Sequence, residues 1–236
     1  MRNCNRFVVL MLAVLGLASC ATETSPSAAP PGDTATNKAP ASAPLADNLI
    51  AATAGGTAAF RSDENGNVVH IQSGMTCPPT NAAGNVALER LFIFPNSPPG
   101  DDVGCDYVMA PTEDLPGGRV SLYATRNRGM SAADYLAASV GQIVAFHGTA
   151  QSSKVPVLTV KGLGPIEGQG FVIAMNGQRM KSGVWVTVVG DWLVKIRATY
   201  PLIDSADNPA MAIRADVIAA MWIVQPAFSI QKAAQD

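Results

Sequence analysis

Side chains able to bind metals, exchange disulfides or move protons are few in this chain: four cysteines, two histidines and a scatter of aspartates. Cys77 and Cys105 lie in the body of the sequence, one just ahead of Pro78-Pro79 and the other inside an expected strand. A redox dithiol or a metal pair would need Cys-x-x-Cys spacing or neighbouring histidines, and neither occurs. Outside the cytoplasm such a pair reads as a structural disulfide. It would close a loop of about 30 residues, worth about 3–4 kcal/mol in the chain-entropy account. His70 alternates within an expected strand, and His147 closes an expected helix just before Gly148, where a cationic side chain suits the helix dipole. There is no His-Glu-x-x-His run for zinc and no Gly-x-Ser-x-Gly elbow for a serine hydrolase. No cofactor and no metal site are expected.

Asp63, Asn65 and Asn67 alternate like the start of a calcium loop, but the glycine comes one position early and the closing Glu is missing. A hairpin turn at Asn65-Gly66 accounts for the same letters. Lys161 to Gly170 (KGLGPIEGQG) leads into a strand and opens no helix, so it offers no helix N-terminus to a phosphate and reads as a mobile loop. Asp101, Asp102 and Asp106 follow Pro98-Pro99-Gly100 as a solvated turn; otherwise they could hold a cation or supply a carboxylate pair, Asp102 with Asp106, for acid–base work. The last candidate is a pair of cations. Lys195 and Arg197 alternate on an expected strand and, across a two-residue hairpin, stand beside Val186 and Val184. On a face lined by valines they suit an anionic, partly apolar partner; alternatively, their stems cover the valines while the charged heads reach water.

The start of the chain is an address. Arg2 and Arg6 precede an apolar run, Phe7 to Leu17, shorter than the about 20 residues that a permanent membrane helix needs. Leu17-Ala18-Ser19-Cys20 follows at once and resembles the lipobox of bacterial lipoproteins. That resemblance implies that residues 1–19 are a signal peptide and that Cys20 carries the lipid, palmitate among its acyl chains. Chains contributing about 0.8 kcal/mol per buried CH₂ give stable anchoring when several are present. Ala21, where Asp would favour the inner membrane, implies the outer membrane with the protein facing the periplasm. Removing Arg2 and Arg6 leaves 14 basic against 18 acidic residues, a net charge near −4. A chain of that balance lacks the basic footprint of a nucleic-acid binder.

The elements that must position the candidates begin after a tether. Residues 20–48 are dominated by Ala, Pro, Ser and Thr with no hydrophobic period, so they cannot offset the entropy of ordering. Residues 49–236 are expected to form a single α+β domain. Strands are expected ending near Phe60 and over 68–72, 87–94, 103–109, 119–125, 155–160, 171–175, 184–189 and 192–200. Asn65-Gly66, Asn176-Gly177 and Gly190-Asp191 mark turns. A helix capped by Ser131 runs to Gly148, burying Leu136, Val140, Ile143 and Val144, and a last helix runs from Asn208-Pro209 to about Val224, ahead of Pro226. Val184 to Val189 is apolar on both faces, which predicts an antiparallel sheet covered by helices on both sides, a two-to-three-layer sandwich. This element order is similar to PsbP-like sandwich domains, a resemblance of architecture over roughly residues 50 to 228.

These readings lead to two functional expectations. The first is a lipid-anchored cell-envelope protein whose domain is non-catalytic and binds an envelope protein or a small anionic ligand. The second is a periplasmic hydrolase working through carboxylates.

Overall fold

The computed structural model describes residues 43–80, 84–204 and 206–235, all within one compact unit, Lys38–Asp236. The expected signal peptide, the lipobox with Cys20 and residues 20–42 of the expected tether lie outside the described residues. Residues 43–48, also expected as tether, open a helix, α1 (Ala43–Ala52), in which Ala46 and Ile50 are buried. Their apolar spacing of four places both side chains on one side of the helix.

After the short α2 (Gly56–Ala59) comes a small antiparallel sheet of β1 (Phe60–Ser62), β2 (Val68–His70) and β3 (Thr76–Cys77). The main sheet contains β4 (Val86–Ile93), β5 (Asp102–Met109), β6 (Gly118–Arg126), β7 (Gln151–Ser153), β8 (Glu167–Met175), β9 (Gln178–Val189) and β10 (Trp192–Pro201). Its order is β4-β5-β6-β10-β9-β8-β7, antiparallel throughout. Three further helices, α3 (Ala132–His147), α4 (Pro209–Met221) and α5 (Val224–Ala233), complete the α+β architecture.

Both faces of the sheet are apolar at its centre, as the run of valines in β9 requires. On one face Trp185, Trp192, Val194, Ile196, Ala198, Leu122 and Cys105 pack with the small sheet, α1, and Ala219, Ile223 and Ile230 of the C-terminal helices. On the other, Val184, Val186, Phe171 and Ile173 pack beneath Ile143 of α3. Helix α3 rests on β8 and β9, and the positions of β4 to β6 on that face are only half-buried or exposed at Phe92, Phe94, Ser121 and Tyr123. The sandwich thus has three layers at one end and two at the other. Cys77 and Cys105 form a disulfide with Cα atoms 6.5 Å apart, joining β3 to β5.

Local chemistry explains the agreements and the departures. The Ser131 hydroxyl accepts from the Asp134 backbone N–H at 3.1 Å and starts α3, which Gly148 ends with φ +59°. Gly190-Asp191 joins β9 to β10 with Val186 opposite Lys195 and Val184 opposite Arg197, the expected register. Asn176 and Gly177 both have positive φ, 50° and 76°, as a type I′ turn demands. At the first hairpin only Gly66 does. There the Asp63 carboxylate accepts from the backbone N–H groups of Asn65 and Asn67 at 2.9 Å each and holds a wider turn, which uses the oxygens that the calcium-like spacing displayed.

Residues 155–160 are not a regular strand, because Pro156 has no N–H to donate; the edge of the sheet is Gln151–Ser153, paired with Gly170–Val172. The glycine-rich run is less loop than expected, since Glu167–Gly170 belong to β8. A Cβ on Gly168 would stand 2.6 Å from the Trp185 ring. That ring also donates its N–H to the Pro156 carbonyl at 3.3 Å, so these glycines serve packing beneath a crossing segment. Pro226 does not end the last helix but sits in the first turn of α5, where its missing N–H has no helical partner to lose. By length and composition Pro209–Ala233 could cross a membrane; here it is two helices with Ala215, Ala219, Ile223, Ala227 and Ile230 buried in the core.

Candidate ligand-binding groove

Where α3 stops covering the sheet, two rows of side chains run across the strands. One is Phe92, Gly104, Tyr123, Lys195 and Val186; the next is Arg90, Asp106, Ser121, Arg197 and Val184. Gly104 makes the first row possible: a Cβ there would come within 3.0 Å of the Tyr123 ring and 3.2 Å of Phe92, which stack with centroids 6.3 Å apart. Between these rows and α3 lies a groove of about 270 Å³. Lys195 and Arg197 line it with Tyr123 and Val184 from the sheet. Ser139, Gln142, Ile143 and Phe146 line it from α3, and Phe94 from beyond the end of β4.

The two cations are held differently. The Lys195 ammonium lies 4.4 Å from the Tyr123 ring centroid and 5.3 Å from that of Tyr135. Its head therefore rests on aromatic faces at the groove wall. Burial lowers its pKa to about 8 against the pull of Asp102, with Arg197 adding to the fall. The Arg197 guanidinium donates through Nε to Ser182 Oγ at 3.2 Å and through an Nη to His147 Nε2 at 2.8 Å. Among the described residues no carboxylate lies within ion-pairing distance of Lys195 or Arg197. Ser139 is 3 % exposed and its hydroxyl has no hydrogen-bond partner among the described residues. A buried hydroxyl left unsatisfied costs free energy unless something meets it.

His147 departs from the expected cationic helix end. Accepting from Arg197 requires neutral imidazole, and burial together with the neighbouring guanidinium pushes its pKa down. His70 is fully buried, bound through Nδ1 to Ser73 Oγ at 2.7 Å and set edge-on to Phe60 and Trp192. Burial lowers its pKa to about 4, so it is an uncharged core side chain.

The carboxylates separate. Burial pushes the Asp106 carboxyl up, but hydrogen bonds from Arg119, Ser121 and Arg90 and the Arg119 charge outweigh it and hold the group below the usual range. Those bonds measure 2.5, 2.7 and 3.1 Å. Asp102 is raised by burial, against a hydrogen bond from Thr125 and the Lys195 charge. The opposed directions resemble an acid–base pair, but four residues of strand set the two roughly 13 Å apart along β5. Glycosidase-type carboxylates stand about 5–9.5 Å apart. Asp106 is moreover saturated by its own cations. Asp101 is not a free turn residue either, pairing with Arg128 at 3.2 Å and Arg126 at 3.7 Å. Among the described residues no three His, Cys, Asp or Glu side chains gather as a metal site.

Lys195 and Arg197, singled out by alternation, line this groove together with Tyr123, Ser139, Gln142, Phe94 and Phe146, which the sequence did not single out. One signal was available: in β6 Arg119, Ser121, Tyr123 and Thr125 alternate with Val120, Leu122 and Ala124, which marks a polar-aromatic face. Ser139 occupies a buried place on α3, while Val144, expected there, is 43 % exposed.

No family model matches this chain, and no curated protein matches it; the likeness to PsbP-like domains rests on element order alone. Solved structures give partial likenesses. The Saccharomyces cerevisiae Ran-binding protein Mog1p is 14 % identical with a TM-score of 0.35, over 63 % of this chain and 90 % of that one. A mutant of the protein Mog1 gives 14 % and 0.33, over 65 % and 91 %. LpqN, involved in cell envelope biogenesis of Mycobacterium tuberculosis, gives 12 % and 0.28, over 61 % and 80 %. At such scores the likeness says nothing of this chain's partners.

Proposed function

We propose that this chain is a cell-envelope lipoprotein, held by Cys20 to the outer membrane and facing the periplasm, whose α+β domain is a non-catalytic binding module for an anionic ligand. Lys195 and Arg197 are its contact residues. The address rests on the basic start, the short apolar run and Leu17-Ala18-Ser19-Cys20 in that order. One observation carries the binding reading: two half-buried cations share a groove and have no carboxylate within ion-pairing distance among the described residues. Holding such a pair half-buried with no directly paired carboxylate costs stability, and an anionic ligand would offset that cost. A hydrolase built on Asp102 and Asp106 lacks a shared cleft.

Two variants test the two halves. Cys20→Ala should release the chain from washed membranes and abolish palmitate incorporation; unchanged retention contradicts the anchor. Lys195→Ala combined with Arg197→Ala should keep the fold by circular dichroism and lose capture of anionic ligands that the parent chain retains. Capture that survives in the double variant contradicts the site.

A further inference from the structure

We infer that the groove takes a monocarboxylate attached to an apolar body, such as a medium-chain or aryl carboxylic acid; this rests on the proposed anion site and names its ligand class. The charge balance comes first. Asp102 acts on Lys195 across the sheet face, and His147 faces Arg197 as a neutral acceptor. About one positive charge is left without a counterpart, which matches a monoanion and not a phosphate dianion. The donor geometry comes second. Of the five N–H donors of a guanidinium, two of those on Arg197 are engaged, by Ser182 and His147. The others find no acceptor among the described residues and form a planar fork of the kind that takes a carboxylate bidentately.

Ser139 supplies the third observation. Its hydroxyl is buried, without a partner among the described residues, and belongs to the α3 wall of the groove that Lys195 and Arg197 also line. A carboxylate bound to Arg197 would give it an acceptor. The remaining wall sets the body of the ligand. The Tyr123 ring and the edge of Ile143, above the buried Val184, lead outward to Phe94 and to Phe146, which is 82 % exposed at the mouth. An exposed phenylalanine beside a cationic floor gives an alkyl or aryl body somewhere to lie. The volume of about 270 Å³ suits a small molecule and excludes a folded partner from the floor.

Isothermal titration of the purified full chain with octanoate, acetate, octanamide and inorganic phosphate tests this. Octanoate should bind saturably at one site, with octanamide and phosphate each weaker by about tenfold or more, since each lacks the charge or the shape that the fork needs. Arg197→Lys, which keeps the charge and loses the fork, should weaken octanoate by about tenfold. Ser139→Ala should weaken it by several-fold. Phe146→Ala, at a position 82 % exposed, should weaken octanoate and leave acetate unchanged. Phosphate binding as tight as octanoate, lost in Arg197→Ala, overturns the carboxylate assignment while the anion site stands. Octanamide equal to octanoate also overturns it. Absence of binding by every anion, or binding indifferent to Arg197→Ala, overturns the inference and the anion site together.

Discussion

Replacing Lys195 by methionine should make the protein more stable, and the size of the gain follows from its surroundings. Burial has brought the Lys195 pKa from 10.5 to about 8. At about 1.4 kcal/mol per pH unit, keeping the ammonium charged at pH 7 costs the folded state about 3 kcal/mol. The contacts with the Tyr123 and Tyr135 rings return about 0.5–2 kcal/mol, and water at the groove mouth screens part of the cost. Lys195→Met, which keeps most of the side-chain volume, should therefore stabilise by about 1–3 kcal/mol at pH 7. The pH dependence has a fixed sign. Between about 8 and 10.5 the unfolded chain holds a proton that the folded chain has lost, so the parent protein gains stability as pH rises there. The variant's advantage should shrink accordingly. Urea unfolding followed by Trp185 and Trp192 fluorescence at pH 7 and pH 10 reads both effects. A variant less stable than its parent at pH 7, or an advantage that persists at pH 10, would falsify the view that this charge is held at a cost.

Asp106→Asn should destabilise the fold by about 1–3 kcal/mol at neutral pH, because Arg119, Arg90 and Ser121 all lose a charged acceptor. The depressed carboxyl contributes stability that is present above about pH 4 and lost as pH falls through its folded value, so the variant should show a flatter acid limb in a pH series of thermal midpoints. Cys77→Ser combined with Cys105→Ser should cost about 3–4 kcal/mol, read by urea midpoint. Intact protein should resist thiol labelling at both positions unless reduced, and free labelling without reductant would remove the cross-link from the account.

The parts of this molecule legible in the sequence are those fixed by neighbours along the chain. The β9–β10 register follows from a two-residue turn and a strict alternation, so Lys195 beside Val186 and Arg197 beside Val184 could be read directly. The start of α3 follows from Ser131 and Asp134, three residues apart. Elements decided by distant partners were not legible. β6 pairs with β10 some seventy residues downstream, and only that pairing puts Tyr123 under Lys195. The apolar run at 155–160 reads as a strand until the edge it would join is seen to be taken by Gln151–Ser153. Pro226 reads as a stop because nothing local says that a new helix begins two residues earlier. Ser139 is silent in sequence for the same reason: whether a helical serine is exposed or buried depends on which face the sheet receives.

The central claim is that Lys195 and Arg197 form one anion-binding site in the groove beneath α3. Its most direct test is a two-dimensional ¹⁵N–¹H correlation spectrum of the chain titrated with octanoate, run beside the Lys195→Ala, Arg197→Ala double variant. Saturable shifts confined to β6, β10, the second half of α3 and the backbone near Phe94 are expected, as is their absence in the double variant. Shifts scattered over the surface, clustered on the opposite face around α4 and α5, or retained in the double variant would contradict it.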